Sequence, residues 1–532
     1  MKKKYRNGRL TFVAAIFVFL FAILILRYYS VSISVTYANY RMNYTRSTVE
    51  VDGGSGFIYD RNLVPLVNCS ESYYTVAIDS PRNDELRNLA VDKSEFDRLL
   101  AENKPFKFET AAMVESDLYA TSFKVLNRYG GTQLAQHLIG YRSQGVGVSG
   151  LEYAYNSMFN EVNGTSSVTY FTDGQGNILL GEGNEIVAAE EIKCGVVTTI
   201  DAEIQQICED AAKEKGKGAV VVAEIATGDI VGMASFPSYS LDKLDIALSD
   251  SDCPLINRNL YSYNVGSVFK LVTACHALEN GLGDFTYECT GTTDVCGKTF
   301  RCHNLGGHGL QNMSEAMTNS CNTYFIELSK NFEAAAFRET AYNLGFGHEI
   351  QLSSGVIGTA GNLPTKKELQ LPAELANFSF GQGKLTATPL QILQLTCCIA
   401  NNGQMPILRV IRGLTLDGKT VENEKKPQLA YAMDVEIAKE LRRFMASAIN
   451  NNIHSKAKPN NTIVCGKTST AQTGRFDEAG EELYNGWITG FFPENRPKYA
   501  VTVLVEDGGY GNDAAAPIFR EVVEGISRIK SK

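Results

Sequence analysis

The run LTFVAAIFVFLFAILIL, Leu10–Leu26, contains no charged residue and is closed by Arg27. Hydrocarbon leaves such a segment only a helix, because every backbone polar group must find its partner within the segment. At about 1.5 Å of rise per residue it nearly spans a bilayer core. Lys2, Lys3, Lys4, Arg6 and Arg9 precede it, which places the N-terminal side in the cytoplasm and the chain beyond the span outside. A cleaved signal sequence is the competing reading. The residues after Arg27, Tyr-Tyr-Ser-Val-Ser, offer no small-x-small cleavage site, and the run is long for a signal core. The expectation is therefore a cytoplasmic tail over 1–9, a transmembrane helix over 10–26 and an extracellular remainder.

That remainder is ordinary globular material. The chain has 532 residues, 44% hydrophobic and 20% charged, enough for two or three domains. A net charge of -9 argues against a nucleic-acid partner, since phosphate binding wants a basic face. There are six histidines and no HExxH pattern, so the sequence indicates neither a metal site nor a cofactor. Cys289, Cys296 and Cys302 lie near one another with His303 after them. A zinc knuckle wants tighter cysteine pairs, which favours a local disulfide or reduced thiols.

From Asn43 to about Cys194 the pattern is mixed. Gly54–Val67 reads as two short strands about a turn at Arg61-Asn62, Lys93–Lys104 as an amphipathic helix, and Tyr170–Leu180 as a hairpin turning at Asp-Gly. Beyond Gly195, Val196–Glu214 gives a strand, a capping Asp201 and a helix, and Gly218–Phe236 two strands about Thr227-Gly228-Asp229. Helical stretches such as Pro372–Asn377 and Pro389–Asn401 occupy the middle. Strands return at Thr462–Gln472, Asn485–Phe492 and Tyr499–Glu506 before a closing helix over Ala516–Ile529. Strands at both ends with helices between them point to one sheet assembled from distant segments.

Three short motifs carry chemistry. S-x-x-K occurs at Ser240/Lys243, Ser267/Lys270, Ser455/Lys458 and Ser527/Lys530. Only Ser267/Lys270 follows a turn-forming Gly266 and leads into an apolar helical stretch, placing hydroxyl and amine on one face. A lysine buried there can lose enough basicity to accept a proton. Ser320-Cys321-Asn322 lies between two helical stretches, where a hydroxyl and an amide can face a cleft; Ser262/Asn264 and Ser329/Asn331 have no such setting. Gly466-Lys467-Thr468 follows an apolar strand and places a lysine and hydroxyls along a sheet edge. Gly413–Thr420 matches a phosphate-loop spacing, yet no helical pattern succeeds it, and Asp417-Gly418 reads as a hairpin turn.

Ser267/Lys270, Ser320/Asn322 and Lys467/Thr468 stand in the order and wide spacing shared by penicillin-binding proteins and serine β-lactamases. Together with GFIYDRN, GVSGLE, TTIDAEIQQ, ATGDIVGMASFPSY, FGQGKLTATPLQI and GWITGFFPENRPKYAVTVLVE, they make most of the chain from Gly56 onward resemble the class B penicillin-binding proteins. The resemblance implies an α+β fold: the membrane anchor, a mixed α/β non-catalytic pedestal of the dimerisation type over 27–194, and a transpeptidase domain over 195–532 with a central antiparallel sheet flanked by helices. Two departures stand out. Val265-Gly266 replaces the family's Pro-Gly, and Ser469 replaces the Gly of Lys-Thr-Gly-Thr, where a side chain is tolerated only if it points away from the cleft.

By the same resemblance, Ser267 attacks the penultimate D-Ala carbonyl of a stem peptide, Lys270 takes the proton, Ser320 relays it to the leaving amine, and Lys467 tunes the network. Asn322, Thr468 and Thr470 hold substrate, and the backbone N–H groups of Ser267 and Thr470 form the oxyanion hole. The implied partners are stem peptides on lipid-linked glycan strands, β-lactams, and a membrane glycosyltransferase of the shape-elongation-division-sporulation family. No cofactor or metal is implied. A D,D-carboxypeptidase, a serine β-lactamase or β-lactam sensor, and a catalytically silent division scaffold are the alternative readings.

Overall fold

A computed structural model describes residues 2–33, 46–131, 133–162 and 164–529; Asn43 and Lys530 lie outside them. The N-terminal helix α1 runs Lys2–Ile33. Its apolar portion, Leu10–Ile33, has a mean hydropathy of 2.7 over its most apolar stretch and is long enough to cross a membrane. It extends beyond the expected end at Leu26 because no Gly or Pro between Arg27 and Ile33 stops it.

The chain forms two compact units that alternate along the sequence. One comprises Met1–Ser55, Ser70–Arg128 and Asn163–Ile192, the other Gly56–Cys69, Tyr129–Val162 and Lys193–Lys532. Segments 56–69 and 129–162 therefore join the unit that holds the C-terminal strands, although they fall within the stretch expected as pedestal. The pairing explains the first of them: Phe57–Tyr59 runs parallel to Gly195–Thr198. Its turn is held by Asp60, which accepts from the backbone N–H groups of Asn62 and Val64.

In the first unit, Ser70–Ala77 is the centre of a three-stranded antiparallel sheet between Phe106–Thr110 and Ala120–Asn127. The Lys93–Leu100 helix starts on Asp92, which caps Ser94 and Glu95, and buries Phe96 against Phe106 and Phe108. It ends before the expected Lys104, where Asn103 adopts a left-handed φ of 50°. A second antiparallel sheet joins Arg46–Asp52, Thr165–Phe171 and Asn184–Val187.

The second unit is built on helix α2 (Ala202–Ala212), strands β1 (Lys217–Glu224) and β2 (Ile230–Phe236), helices α3 (Lys270–Glu279), α4 (Asn322–Ser329), α5 (Pro389–Ala400) and α6 (Val435–Asn450), strands β3 (Cys465–Phe476), β4 (Glu482–Phe492) and β5 (Tyr499–Glu506), and helix α7 (Gly511–Ile529). The five strands form one antiparallel sheet in the order β2-β1-β5-β4-β3. Both of its faces are covered, which is why β1 reads as a near-continuous apolar run. Val220 and Val222 pack with Ile204 of α2 and Phe519 and Val522 of α7. Ala219 and Val221 face the core that contains Leu271 of α3, Leu393 of α5 and Leu441 of α6. The α2 cap is the expected Asp201, accepting from Glu203 and Ile204. The phosphate-loop-like Gly413–Thr420 is a hairpin, with Leu414 bridged to Glu422 and Asp417 holding the turn.

Packing behind the start of α3 converges on Phe269, which is fully buried with ring centroids 4.7 Å from Phe378 and 5.2 Å from Phe346. Phe269→Ala is expected to destabilise this unit by about 3–5 kcal/mol, measured as a shift of the denaturant midpoint.

Candidate active site

Ser267 lies on a 3-10 turn, Gly266–Phe269, that runs directly into α3 at Lys270. One turn of helix separates hydroxyl from amine. Gly266 makes this entry possible. Its φ is 64°, and a Cβ there would stand 2.4 Å from Ser469 Oγ. Its N–H donates to the carbonyl of Gly381 at 2.8 Å, and a Cβ on Gly381 would in turn lie 2.1 Å from the Gly266 carbonyl. The Gly-Gln-Gly segment is thus a close backbone brace behind the turn that carries Ser267.

Lys270 is completely buried. Its Nζ donates to the Ser320 carbonyl at 2.7 Å and to Asn322 Oδ1 at 2.7 Å, with Ser320 Oγ at 3.4 Å. It also lies 5.5 Å from the centre of the Phe325 ring. Lys467, on β3 at the edge of the sheet, is equally enclosed, and its Nζ donates to Ser320 Oγ at 3.1 Å and to the Thr468 carbonyl at 3.1 Å. One hydroxyl therefore sits between two buried amines whose acceptors are carbonyl, amide and hydroxyl oxygens. Burial lowers the Lys270 pKa to about 7, and the neighbouring Lys467 ammonium pushes it the same way. Burial alone lowers Lys467 to about 8. A neutral amine has two N–H groups and one lone pair. The two short bonds of Lys270 use the N–H groups and leave the lone pair to receive a proton.

Ser320 adopts a left-handed φ of 50° in the turn between the Met313–Thr318 helix and α4. The two lysines bonded to its carbonyl and hydroxyl hold this uncommon conformation. Ser469 answers the question raised by the altered Lys-Thr-Gly-Thr motif. Its hydroxyl points behind the strand and donates to the Val265 carbonyl at 2.8 Å. Thr468 and Thr470 take the other face of β3. Thr470 Oγ1 accepts from the Gly511 N–H at 3.1 Å, which leaves its own proton available.

Ser267, Ser320, Asn322, Thr468 and Thr470 line one cavity of about 430 Å³. The structure thus brings the sequence-expected residues together around one space, with Lys270 and Lys467 bonded into its wall through Ser320. It adds wall residues that sequence reasoning missed, among them Arg301, His303, Gln382 and the stacked pair Tyr484/Tyr510, whose centroids are 6.1 Å apart. Gln382 lies within FGQGKLTATPLQI and His303 directly after Cys302; Arg301, Tyr484 and Tyr510 carry no local sequence signal.

Of the two cysteine readings, local disulfide or reduced thiols, the structure has the second: all twelve are free, and Cys296 is exposed. Cys289 and Cys302 group with His308 and Cys321. No two of these four lie within four positions of each other in sequence, so no tight pair marks them.

Residues 218–524 match the family model described as the penicillin binding protein transpeptidase domain. The chain belongs to this family. It is 28% identical over 410 residues to Stage V sporulation protein D of Bacillus subtilis, covering 73% of this chain and 61% of that protein. It is 27% identical over 408 residues to peptidoglycan D,D-transpeptidase MrdA of Acinetobacter baumannii, covering 70% and 60%. The match thus spans about three fifths of the length of these two relatives. Among solved structures, a peptidoglycan synthase complex that coordinates polymerization and crosslinking aligns with a TM-score of 0.72 over 98% of this chain and 99% of that one, at 22% identity. Penicillin-binding protein A from M. tuberculosis, as its penicillin G acyl-enzyme, aligns with a TM-score of 0.56 over 63% of this chain and 80% of that one, at 27% identity. The family and α+β fold expected from the sequence are those found.

With Lys270 as the base, acylation of Ser267 requires its neutral form. The acylation rate constant is expected to rise about tenfold per pH unit below pH about 7 and to level off above it. Stopped-flow acylation by a chromogenic β-lactam across this range checks the profile.

Proposed function

We propose that this chain is a membrane-anchored serine D,D-transpeptidase that cross-links peptidoglycan stem peptides and is acylated by β-lactams. The observation that carries the reading is the Ser320 hydroxyl held between two buried lysines, in the wall of the cavity that Ser267 lines. Ser267 Oγ attacks the carbonyl carbon of the penultimate D-Ala as its proton passes to neutral Lys270. The carbonyl oxygen gathers negative charge against the backbone N–H groups of Ser267 and Thr470; losing one such donor typically costs about 10²–10³ in rate. The proton then moves through Ser320 to the terminal D-Ala nitrogen, the C–N bond breaks, and an acyl-enzyme remains. An acceptor amine attacks this ester, gives up its proton along the reverse path, and releases Ser267.

Charge assigns the remaining roles. The Lys467 ammonium and the hydroxyls of Thr468 and Thr470 suit the terminal carboxylate of the donor peptide. Asn322 orients the peptide backbone from beside Lys270. The unit containing Ser70–Arg128 is proposed as the non-catalytic pedestal. The fold likeness to a peptidoglycan synthase complex supports a membrane glycosyltransferase of the shape-elongation-division-sporulation family as partner. The apolar span of α1 supports single-pass anchoring, and the basic residues before it support an extracellular catalytic unit.

Fluorescent penicillin is expected to label the chain covalently, with the adduct mass on the Ser267 peptide, and Ser267→Ala to abolish labelling; a labelled variant would move the nucleophile elsewhere. With a stem-peptide donor and an amine acceptor, aminolysis should exceed hydrolysis, and hydrolysis indifferent to the acceptor would make the chain a carboxypeptidase. For topology, a membrane-impermeant maleimide should label exposed Cys69 and Cys253 on intact wall-less cells. Labelling only after lysis would place the catalytic unit inside.

A further inference from the structure

The cavity that Ser267 lines is uneven in charge. No Asp or Glu among the described residues lines it, whereas Arg301 and His303 do. Lys467 is bonded into the same wall through Ser320. Glu482 accepts from the wall residues Gln472 at 2.7 Å and Tyr484 at 3.2 Å, on the β3–β4 side.

Arg301 is placed by a braced hairpin. Lys298–Arg301 pairs antiparallel with Thr292–Val295, and Arg301 stands opposite Thr292. The next N–H, that of Cys302, donates to the Gly291 carbonyl at 2.8 Å and fixes the base of the hairpin. Phe300 is buried with Ile326 of α4 and Ala376, and its ring centroid is 6.5 Å from that of Phe380, itself a cavity residue. Arg301 stays exposed beside this anchor. The carboxylates of the neighbourhood are engaged elsewhere. Asp294 accepts from the Gly297 N–H at 2.9 Å, and Glu327 bonds Thr293 and Lys330. The Arg301 guanidinium has no ion pair or hydrogen bond among the described residues.

An unpaired guanidinium in a cavity without a carboxylate suits an anion brought by the ligand. In the mechanism above, the terminal carboxylate of the donor goes to Lys467, Thr468 and Thr470 on β3. Arg301 belongs to a different piece of chain, so its anion is a second one. The departing D-Ala has a single carboxylate, which places the second on the part that stays esterified to Ser267. The penultimate D-Ala has only a methyl side chain. A cavity of about 430 Å³ holds a few residues, so the residue before the two D-Ala is the one in reach.

We propose, resting on the transpeptidase reading, that Arg301 is a specificity-determining residue that pairs with a side-chain carboxylate on the donor residue preceding the two D-Ala. Its planar fork matches the two oxygens of a carboxylate; a carboxamide offers one acceptor oxygen and no charge. Once the terminal D-Ala has left with the first carboxylate, this pair keeps the acyl chain presented to the acceptor amine.

The test uses the full chain in detergent, an amine acceptor, and two synthetic donors ending in D-Ala-D-Ala. The donors are identical except for a carboxylate or a carboxamide on the side chain of the preceding residue. Wild type is expected to favour the carboxylate donor about tenfold in kcat/KM, chiefly through KM. Arg301→Gln should bring the two donors to near parity by lowering use of the carboxylate donor, and Arg301→Lys should retain part of the preference. The wild-type comparison carries the test should Arg301→Gln misfold. Equal use of the two donors by wild type, or an Arg301→Gln effect of the same size on both, would overturn the proposal. If fluorescent penicillin still labels Ser267 in that case, the transpeptidase reading stands; a wild-type chain that is neither labelled nor active on either donor would overturn both.

Discussion

Two buried lysines on either side of one serine hydroxyl are the constraint around which the unit holding the five-stranded sheet is arranged. Removing an ammonium from water costs several kcal/mol unless it is compensated. Here the compensation is only partial, since carbonyl, amide and hydroxyl oxygens surround both amines. The imbalance is relieved most easily by deprotonating the lysine that is both buried and repelled by its neighbour, which is Lys270. A base poised near neutrality is what activation of a serine hydroxyl needs. In the proposed mechanism the energetic cost of the burial and its chemical use are therefore the same feature.

Holding that arrangement requires rigid support from three directions. The 3-10 turn before α3 is braced by the reciprocal approach of Gly266 and Gly381 and by Phe269 in its aromatic pocket. The strand β3 is locked to β4 through the register Lys467–Thr489 and Ser469–Trp487. The Trp487 indole in turn donates to the Asn264 carbonyl at 2.9 Å, just ahead of the Ser267 turn. Ser469 belongs to the same support. Its hydroxyl fills the space left by the missing Cβ of Gly266 and bonds the Val265 carbonyl, so the departure from Lys-Thr-Gly-Thr is absorbed behind the strand and leaves the cleft face to Thr468 and Thr470.

The third support is the turn at Ser320, the one with strained backbone. The next residue, Cys321, stands 3.8 Å from the Cys302 sulfur within the thiol and imidazole cluster. The lysine bonds to the Ser320 carbonyl and hydroxyl support a left-handed serine at this position.

The amino-acid pattern alone determined the apolar span, the α+β class, the family, and the three motifs in their order, because each is written in contiguous residues with a local physical meaning. Tyr499–Glu506, apolar but for Thr502 and Glu506, became a central strand with the expected bounds. Asp201 before an amphipathic run became a cap. Tertiary structure decided what depends on distance in space. It placed Phe57–Tyr59 beside Gly195–Thr198, turned Ser469 backward, set both lysines on one hydroxyl, and gathered Cys289, Cys302, His308 and Cys321 from segments with no shared local pattern. Periodicity and spacing report on neighbours along the chain; the closeness of charges and thiols arises only from how sheet edge, helix and loop pack around one cavity.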